Sequence, residues 1–469
     1  MYFKIKKNHL LIFCLSLIII FILGILLIPN NQNEIYLNNY LIDFTYLLIS
    51  YFILGFSILK NKYDFFSPTI IFSFLYLTMF FVTPMYDILC EEYLWFGVDL
   101  FKFGIKGSTI AFVGYLSFMI FNNLNVPSSK QNKINIKYEY YGKKIVVFIV
   151  SMYVVCFIAN VYYLTRSNSI LYIFTLGVLG SGGFSVSDAN LGAISMFSYA
   201  LPSITLLYME YGNNKFLKFV FFSAMFVLQV ARGFRFFIIQ IIIMFFSYYI
   251  LKSGKKLKIR DLISIAICIL IPTLLMTLFR NTIRSGSGMD LSIISLDVIK
   301  KAFDEALWDN FRIYKTYYGL IKAVPNLTNY LFGAQMIIYT MIMFIPRMLW
   351  KGKPSNPGTE AQRLGINQYA VDGGSAYPGL GEYYYDSGLF GVIMWSSILG
   401  WWLKKVYIKY RIKSESVIDL MIYSTILGII LQLVIRGYTP SNFWMIVFCM
   451  LPYWFIKRFF KKKVIERNE

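Results

Sequence analysis

Histidine is nearly missing from this chain of 469 residues, His9 being the single one. That excludes a His-rich metal site, and because His9 stands at the edge of the first apolar segment it also excludes a histidine catalyst beyond the membrane. Cysteine is sparse: Cys14, Cys90, Cys156, Cys268 and Cys449 are scattered, and all but Cys90 fall inside apolar runs, so no disulfide or zinc framework follows. Acidic residues are few, 24 Asp and Glu against 45 Lys and Arg, for a formal net charge of +21. Such an excess can signal nucleic acid. Here the basic residues form short clusters between apolar runs, the pattern of membrane topology signals, and nucleic acid is not an expected partner.

What is abundant is apolar. Hydrophobic residues make up 58% of the chain and its mean hydropathy is +0.59, against about 45 to 50% apolar in a soluble domain even when glycine is counted. The chain is read as an all-α, polytopic membrane bundle. Lys4, Lys6 and Lys7 precede the run Leu10 to Ile28, close to the ~20 residues that a spanning helix needs; with no small-residue cleavage site after it, this is read as an uncleaved first span. Further spans are expected over Leu41 to Leu59, Phe66 to Tyr86, Ser108 to Leu124, Ile145 to Leu164, Leu191 to Met209, Phe219 to Leu251 as two short helices, Leu262 to Phe279, Leu389 to Leu403, Val417 to Ile435 and Phe443 to Ile456. That makes about twelve, with both termini cytoplasmic and the clusters at Lys130 to Lys144, Lys252 to Arg260 and Lys404 to Lys413 inside. Residues 1–280 would form an N-terminal bundle of about nine spans, 281–386 a large external loop on the periplasmic side, and 387–469 the last three spans.

Ile299 to Ala323 mixes charged and apolar residues at helical spacing and is expected to lie as an amphipathic helix on the membrane or on the bundle. Leu331 to Ile345 is short for a span, and crossing there would reverse the side of every later basic cluster. A re-entrant or interfacial helix is therefore expected. From Ile345 to Gly391 the chain turns polar and glycine-rich, punctuated by Pro346, Pro354, Pro357 and Pro378, which forbid a long helix and favour fixed turns. Its aromatics, from Trp350 to Tyr385, argue against disorder.

The run from Pro346-Arg347 through Lys353-Pro354 to Pro378-Gly-Leu-Gly-Glu382, followed by a glycine-led apolar helix, resembles the bacterial oligosaccharide repeat-unit polymerases, also called O-antigen polymerases. The resemblance is specific over about Arg347 to Gly391. It implies a glycosyltransferase of the inner membrane that joins undecaprenyl-diphosphate-linked repeat units, donor and acceptor, into O-antigen, capsule or exopolysaccharide. It implies no cofactor or metal, and its partners would be those lipids, the surrounding membrane lipids and a chain-length regulator. Arg347, Lys353, Pro354, Gly379, Gly381 and Glu382 match the family-like stretch. The lack of an external histidine separates the chain from the related O-antigen ligases.

Such a transfer needs a stabiliser for the leaving diphosphate and a base for the acceptor hydroxyl. Arg232, Arg235, Arg280, Arg284, Arg347 and Arg436, with Lys353, are the candidates for the first role, since arginines expected at the outer face run against the positive-inside trend and their planar fork suits phosphate oxygens. Headgroup contacts and loop ion pairs are the simpler account of each. Glu382, then Asp386 and Asp372, are the candidate bases. Helix capping is the competing role for Glu382 and Asp386. A flippase or transporter of lipid-linked oligosaccharides is the alternative, but it would set its polar groups on broken helices at the midplane, whereas polarity here gathers in one loop.

Overall fold

The computed structural model describes residues 7–29, 33–61, 64–124, 138–140, 143–165, 192–232, 235–254, 259–284, 295–343, 345, 349–353, 358–367, 376–414, 416–460 and 463–465. Helices dominate because each apolar run can satisfy its backbone hydrogen bonds internally, which a bilayer demands. Among the described residues seven helices are long and apolar enough to cross a membrane: Glu34–Asn61, Pro68–Leu89, Phe101–Asn123, Lys144–Thr165, Arg235–Ser253, Arg260–Leu278 and Val417–Ile435. Lys7–Leu26 is a helix of 20 residues at the first expected span, and Phe197–Tyr211, Lys215–Ala231, Gly379–Tyr407 and Thr439–Phe459 are helical at other expected spans but fall short of that length or apolarity.

Val417–Ile435 is the central stave, with 89% of its most apolar stretch buried inside the protein, against 11% for Arg260–Leu278, which faces outward. Both are apolar on all sides, so only packing tells them apart. The long helix Gly379–Tyr407 lies along Gly104–Asn123. It breaks at Ser387 and Gly388, where Gly388 takes φ 63° and ψ −142°, a conformation essentially reserved for glycine. A Cβ there would also meet the Tyr330 hydroxyl at 2.9 Å.

Side-chain contacts sort the connecting segments into two ends of the bundle. At one end Arg411 forms a double hydrogen bond to Asp64, Lys457 pairs with Asp419, and Lys404 donates to the Leu124 carbonyl. All belong to segments expected inside. At the other end Arg312 reaches Asp87 and Glu382 reaches Thr439, joining segments expected outside.

The stretch Ile299 to Ala323 departs from the single amphipathic helix expected of it. Leu296–Trp308, capped by the Ser295 hydroxyl on the Val298 amide, leaves Leu296, Ile299, Phe303 and Leu307 exposed along one face and buries Ala302 and Ala306. Tyr314–Ala323 is a separate helix in the core, with Tyr314, Tyr317 and Tyr318 fully enclosed. The reason is electrostatic. Asp87 is fully buried and accepts from Arg312 Nε at 3.0 Å and the Tyr314 hydroxyl at 3.0 Å, with Lys315 Nζ at 2.9 Å; Arg312 also holds Asp304 at 2.6 Å. Burial works against the Arg312 charge, but Asp87 and Asp304 outweigh it and raise its pKa. For Lys315 burial wins and the pKa falls. This part of the 281–386 segment therefore shares one hydrophobic core with the bundle.

Among the described residues of Leu331 to Ile345, helix is confined to six π-helical residues, Ala334–Tyr339, and three α-helical ones, Thr340–Ile342. At about 1.5 Å per residue that is far shorter than the ~30 Å hydrocarbon core.

Candidate active site

The Pro378-Gly-Leu-Gly-Glu382 turn is shaped by backbone contact. Gly379 packs so closely on the helix Val417–Ile435 that a Cβ would lie 2.4 Å from the Leu433 carbonyl oxygen, and a Cβ on Gly437 would lie 2.3 Å from the Pro378 carbonyl oxygen. The Gly437 amide donates to the Tyr377 carbonyl at 2.7 Å. The head of the broken helix is thus riveted to the loop before the last helix, Thr439–Phe459.

That rivet sets Glu382, only 2% exposed. Its carboxylate accepts from the Thr439 amide at 2.8 Å, the Thr439 hydroxyl at 2.6 Å and Gln335 Nε2 at 2.7 Å. Gln335 Nε2 also reaches the Tyr377 hydroxyl. Glu382 therefore caps not its own helix but the amino end of the last one, where an anion offsets free amides and the helix dipole. It lies outside the seven candidate spans. Burial raises its pKa to about 7, against the hydrogen bonds from Thr439 and Gln335 that favour its ionised form. A carboxyl poised there suits a general base at neutral pH.

Asp386 is equally buried but differently employed. It accepts from the Gly333 amide at 2.6 Å, Ser387 Oγ at 2.9 Å and Trp395 Nε1 at 3.0 Å, and its carbonyl accepts from the Phe332 amide. It pins the break in the long helix to the turn before Ala334.

Three of the candidate arginines have described side chains. Arg232, 6% exposed, donates to Ser198 Oγ and stacks over Phe237 at 4.3 Å and Tyr199 at 5.0 Å. Arg436 stacks over Phe236 at 5.0 Å, and Phe236 and Phe237 touch, with ring centroids 4.1 Å apart. One aromatic pair thus collects two guanidinium groups, and Arg436 stands three residues before Thr439. Arg235 turns elsewhere, to Thr277 Oγ1 at 2.9 Å, the Glu305 carbonyl at 3.1 Å and Asp309 at 3.2 Å, binding the surface helix Leu296–Trp308 to the bundle. Lys353 donates to the Met343 and Ile345 carbonyls at 2.7 and 3.0 Å, beside the end of the short 340–342 helix. Arg347 and Asp372, and the side chains of Arg280 and Arg284, lie outside the described residues.

Sequence reasoning missed Gln335, Tyr377 and Thr439. The only available signal was the Thr439-Pro440 pair, a helix-start pattern. It also passed over Asp43, wholly buried in Glu34–Asn61 beside Ser108, though a lone carboxylate in an apolar run is a signal in itself. Among the described residues no three His, Cys, Asp or Glu side chains converge as a metal site would require.

The fold and its clasped polar end define a multi-pass, all-α membrane protein. The family model for the O-antigen polysaccharide polymerase Wzy matches residues 10–464, nearly the whole chain, and the protein belongs to that family of polysaccharide polymerases. No curated protein and no solved structure shows a significant match to it.

Proposed function

We infer that the chain polymerises polyprenyl-diphosphate-linked oligosaccharide repeat units into a surface polysaccharide, O-antigen, capsule or exopolysaccharide. The reaction takes place at the outer face of the bacterial inner membrane. The observation that carries this is the meeting of Glu382 with the amino end of the last helix, where Arg436 and Arg232 share the Phe236–Phe237 shelf. The acceptor hydroxyl attacks the anomeric carbon of the donor glycan. The new C–O bond forms as the bond to the diphosphate breaks, Glu382 takes the hydroxyl proton, and the leaving polyprenyl diphosphate carries away the bonding electron pair. Arg232 and Arg436, with Arg280, Arg284 and Arg347, stabilise that diphosphate without a metal. Arg235 and Lys353 hold the walls of the site through Asp309 and the 343–345 carbonyls. Asp386 positions the broken helix.

The test is purified protein in nanodiscs with a lipid diphosphate-linked repeat unit, read as a ladder on a gel. A ladder formed without metal supports the reading; folded protein that forms none from several repeat units would overturn it. Arg436→Lys keeps the charge but loses the fork and the stack on Phe236, and is expected to lower the rate ~10- to 100-fold, as loss of one strong charge-assisted contact does. Wild-type rates would reduce Arg436 to a structural residue. For topology, Ser375→Cys in a Cys90→Ser background should react with an impermeant thiol reagent in intact cells, and labelling only after lysis would reverse the sidedness.

A further inference from the structure

At the end of the bundle opposite Glu382, Lys405, Ile408, Lys409, Lys413, Asp419 and Lys457 line a cavity of about 460 Å³. Lys405, Lys409 and Lys413 recur every four residues, so on a helix they form one row. A fourth ammonium, Lys457, comes from the neighbouring last helix and pairs with Asp419. Among the described residues no carboxylate pairs with Lys405, Lys409 or Lys413, whereas the adjacent Arg411 is committed to Asp64. The helix also changes its winding here: Ile408–Ile412 is a π turn, closed by the Lys413 amide on the Ile408 carbonyl at 3.0 Å. Such turns are rare and gather at functional sites.

The surroundings point to a lipid rather than a soluble anion. Lys405 lies over the ring of Trp401 at 5.7 Å, Trp401 is itself 47% exposed, and one turn earlier Ile398 is exposed too, so an apolar, outward-facing strip runs straight into the basic cavity. Lys409 and Lys457 flank the ring of Tyr410 at 4.9 and 5.8 Å. Aromatic rings at headgroup level under a cluster of lysines match the way basic pockets between membrane helices hold acidic phospholipids. We propose that this cavity is a binding site for the phosphate headgroup of an anionic membrane phospholipid, separate from the site of glycan transfer.

The experiment is native mass spectrometry of the full-length protein released from detergent with equal amounts of phosphatidylglycerol and phosphatidylcholine. The wild type should retain phosphatidylglycerol preferentially, and the triple variant Lys405→Gln, Lys409→Gln, Lys413→Gln should lose about tenfold or more of that preference. The matching triple change to arginine should keep it. Asp419→Asn, which removes the only carboxylate among the described residues lining the cavity and frees Lys457, should strengthen it. Equal phosphatidylglycerol retention by wild type and glutamine triple would overturn the proposal, as would loss in both triples. Displacement of the lipid by glycerol phosphate at matching concentration would overturn it in favour of a soluble phosphate ligand.

Discussion

Glu382→Gln is expected to abolish the ladder, with a loss of about 10²- to 10⁴-fold in rate, the usual range for a positioned general base. The substitution separates chemistry from folding unusually well. A glutamine keeps the shape of Glu382 and an oxygen for the Thr439 amide, and Gln335 Oε1, buried and without a hydrogen-bond partner, can turn to accept from the new amide. Folding should therefore survive, as read by gel-filtration profile and melting temperature. An active Glu382→Gln enzyme would leave Glu382 as a cap on the last helix and nothing more.

The pH profile supplies a second reading of the same residue. Because burial holds the Glu382 carboxyl near 7, the rate should rise with pH through about 7 as the base form appears. Thr439→Val removes the 2.6 Å hydroxyl bond that favours the ionised form, so that limb should move to higher pH. Stability runs the other way. The folded state keeps this proton up to about 7 while the unfolded chain releases it near 4.5. Glu382 therefore costs stability progressively as pH rises across that window, and its full cost applies above it.

Asp87→Asn is expected to destabilise the protein by about 3 to 5 kcal/mol, the cost of breaking a buried ion pair from one side. Asp87 is fully buried, and the side chains of Lys315 and Arg312 are only 2% and 11% exposed. Solvent therefore cannot take over the role of the carboxylate. An asparagine of equal size would leave two cations facing one neutral amide, with Asp304 and Asp309 at the rim to answer Arg312. The helix Tyr314–Ala323 should loosen first, since Asp87 is its anchor, and thermal unfolding in detergent together with hydrogen exchange over 314–323 would measure both effects. A loss below about 1 kcal/mol would mean that Asp87 behaves as a surface ion pair.

Much of this protein was legible as a string of residues. Apolar runs of spanning length between lysine clusters determine a helical membrane bundle, because the free energies of burying backbone and charge in lipid are large and depend on composition more than on neighbours. The division of Phe219 to Leu251 between two helices was legible for the same reason. What the sequence could not say is which neighbour each polar group meets. Glu382 caps a helix that begins 57 residues later, Arg312 answers a carboxylate 225 residues earlier, and Arg232 and Arg235, close neighbours in the chain, serve different walls. The amphipathic pattern after Ile299 read as one surface helix because periodicity records which face is apolar, not what covers it. Only tertiary structure brought Asp87 beneath Tyr314 and drew that second helix into the core. Composition determined the solvent in which this chain folds; the partner of each buried charge was decided by packing, since hydrogen bonds and ion pairs act over a few ångströms and take no account of distance along the chain.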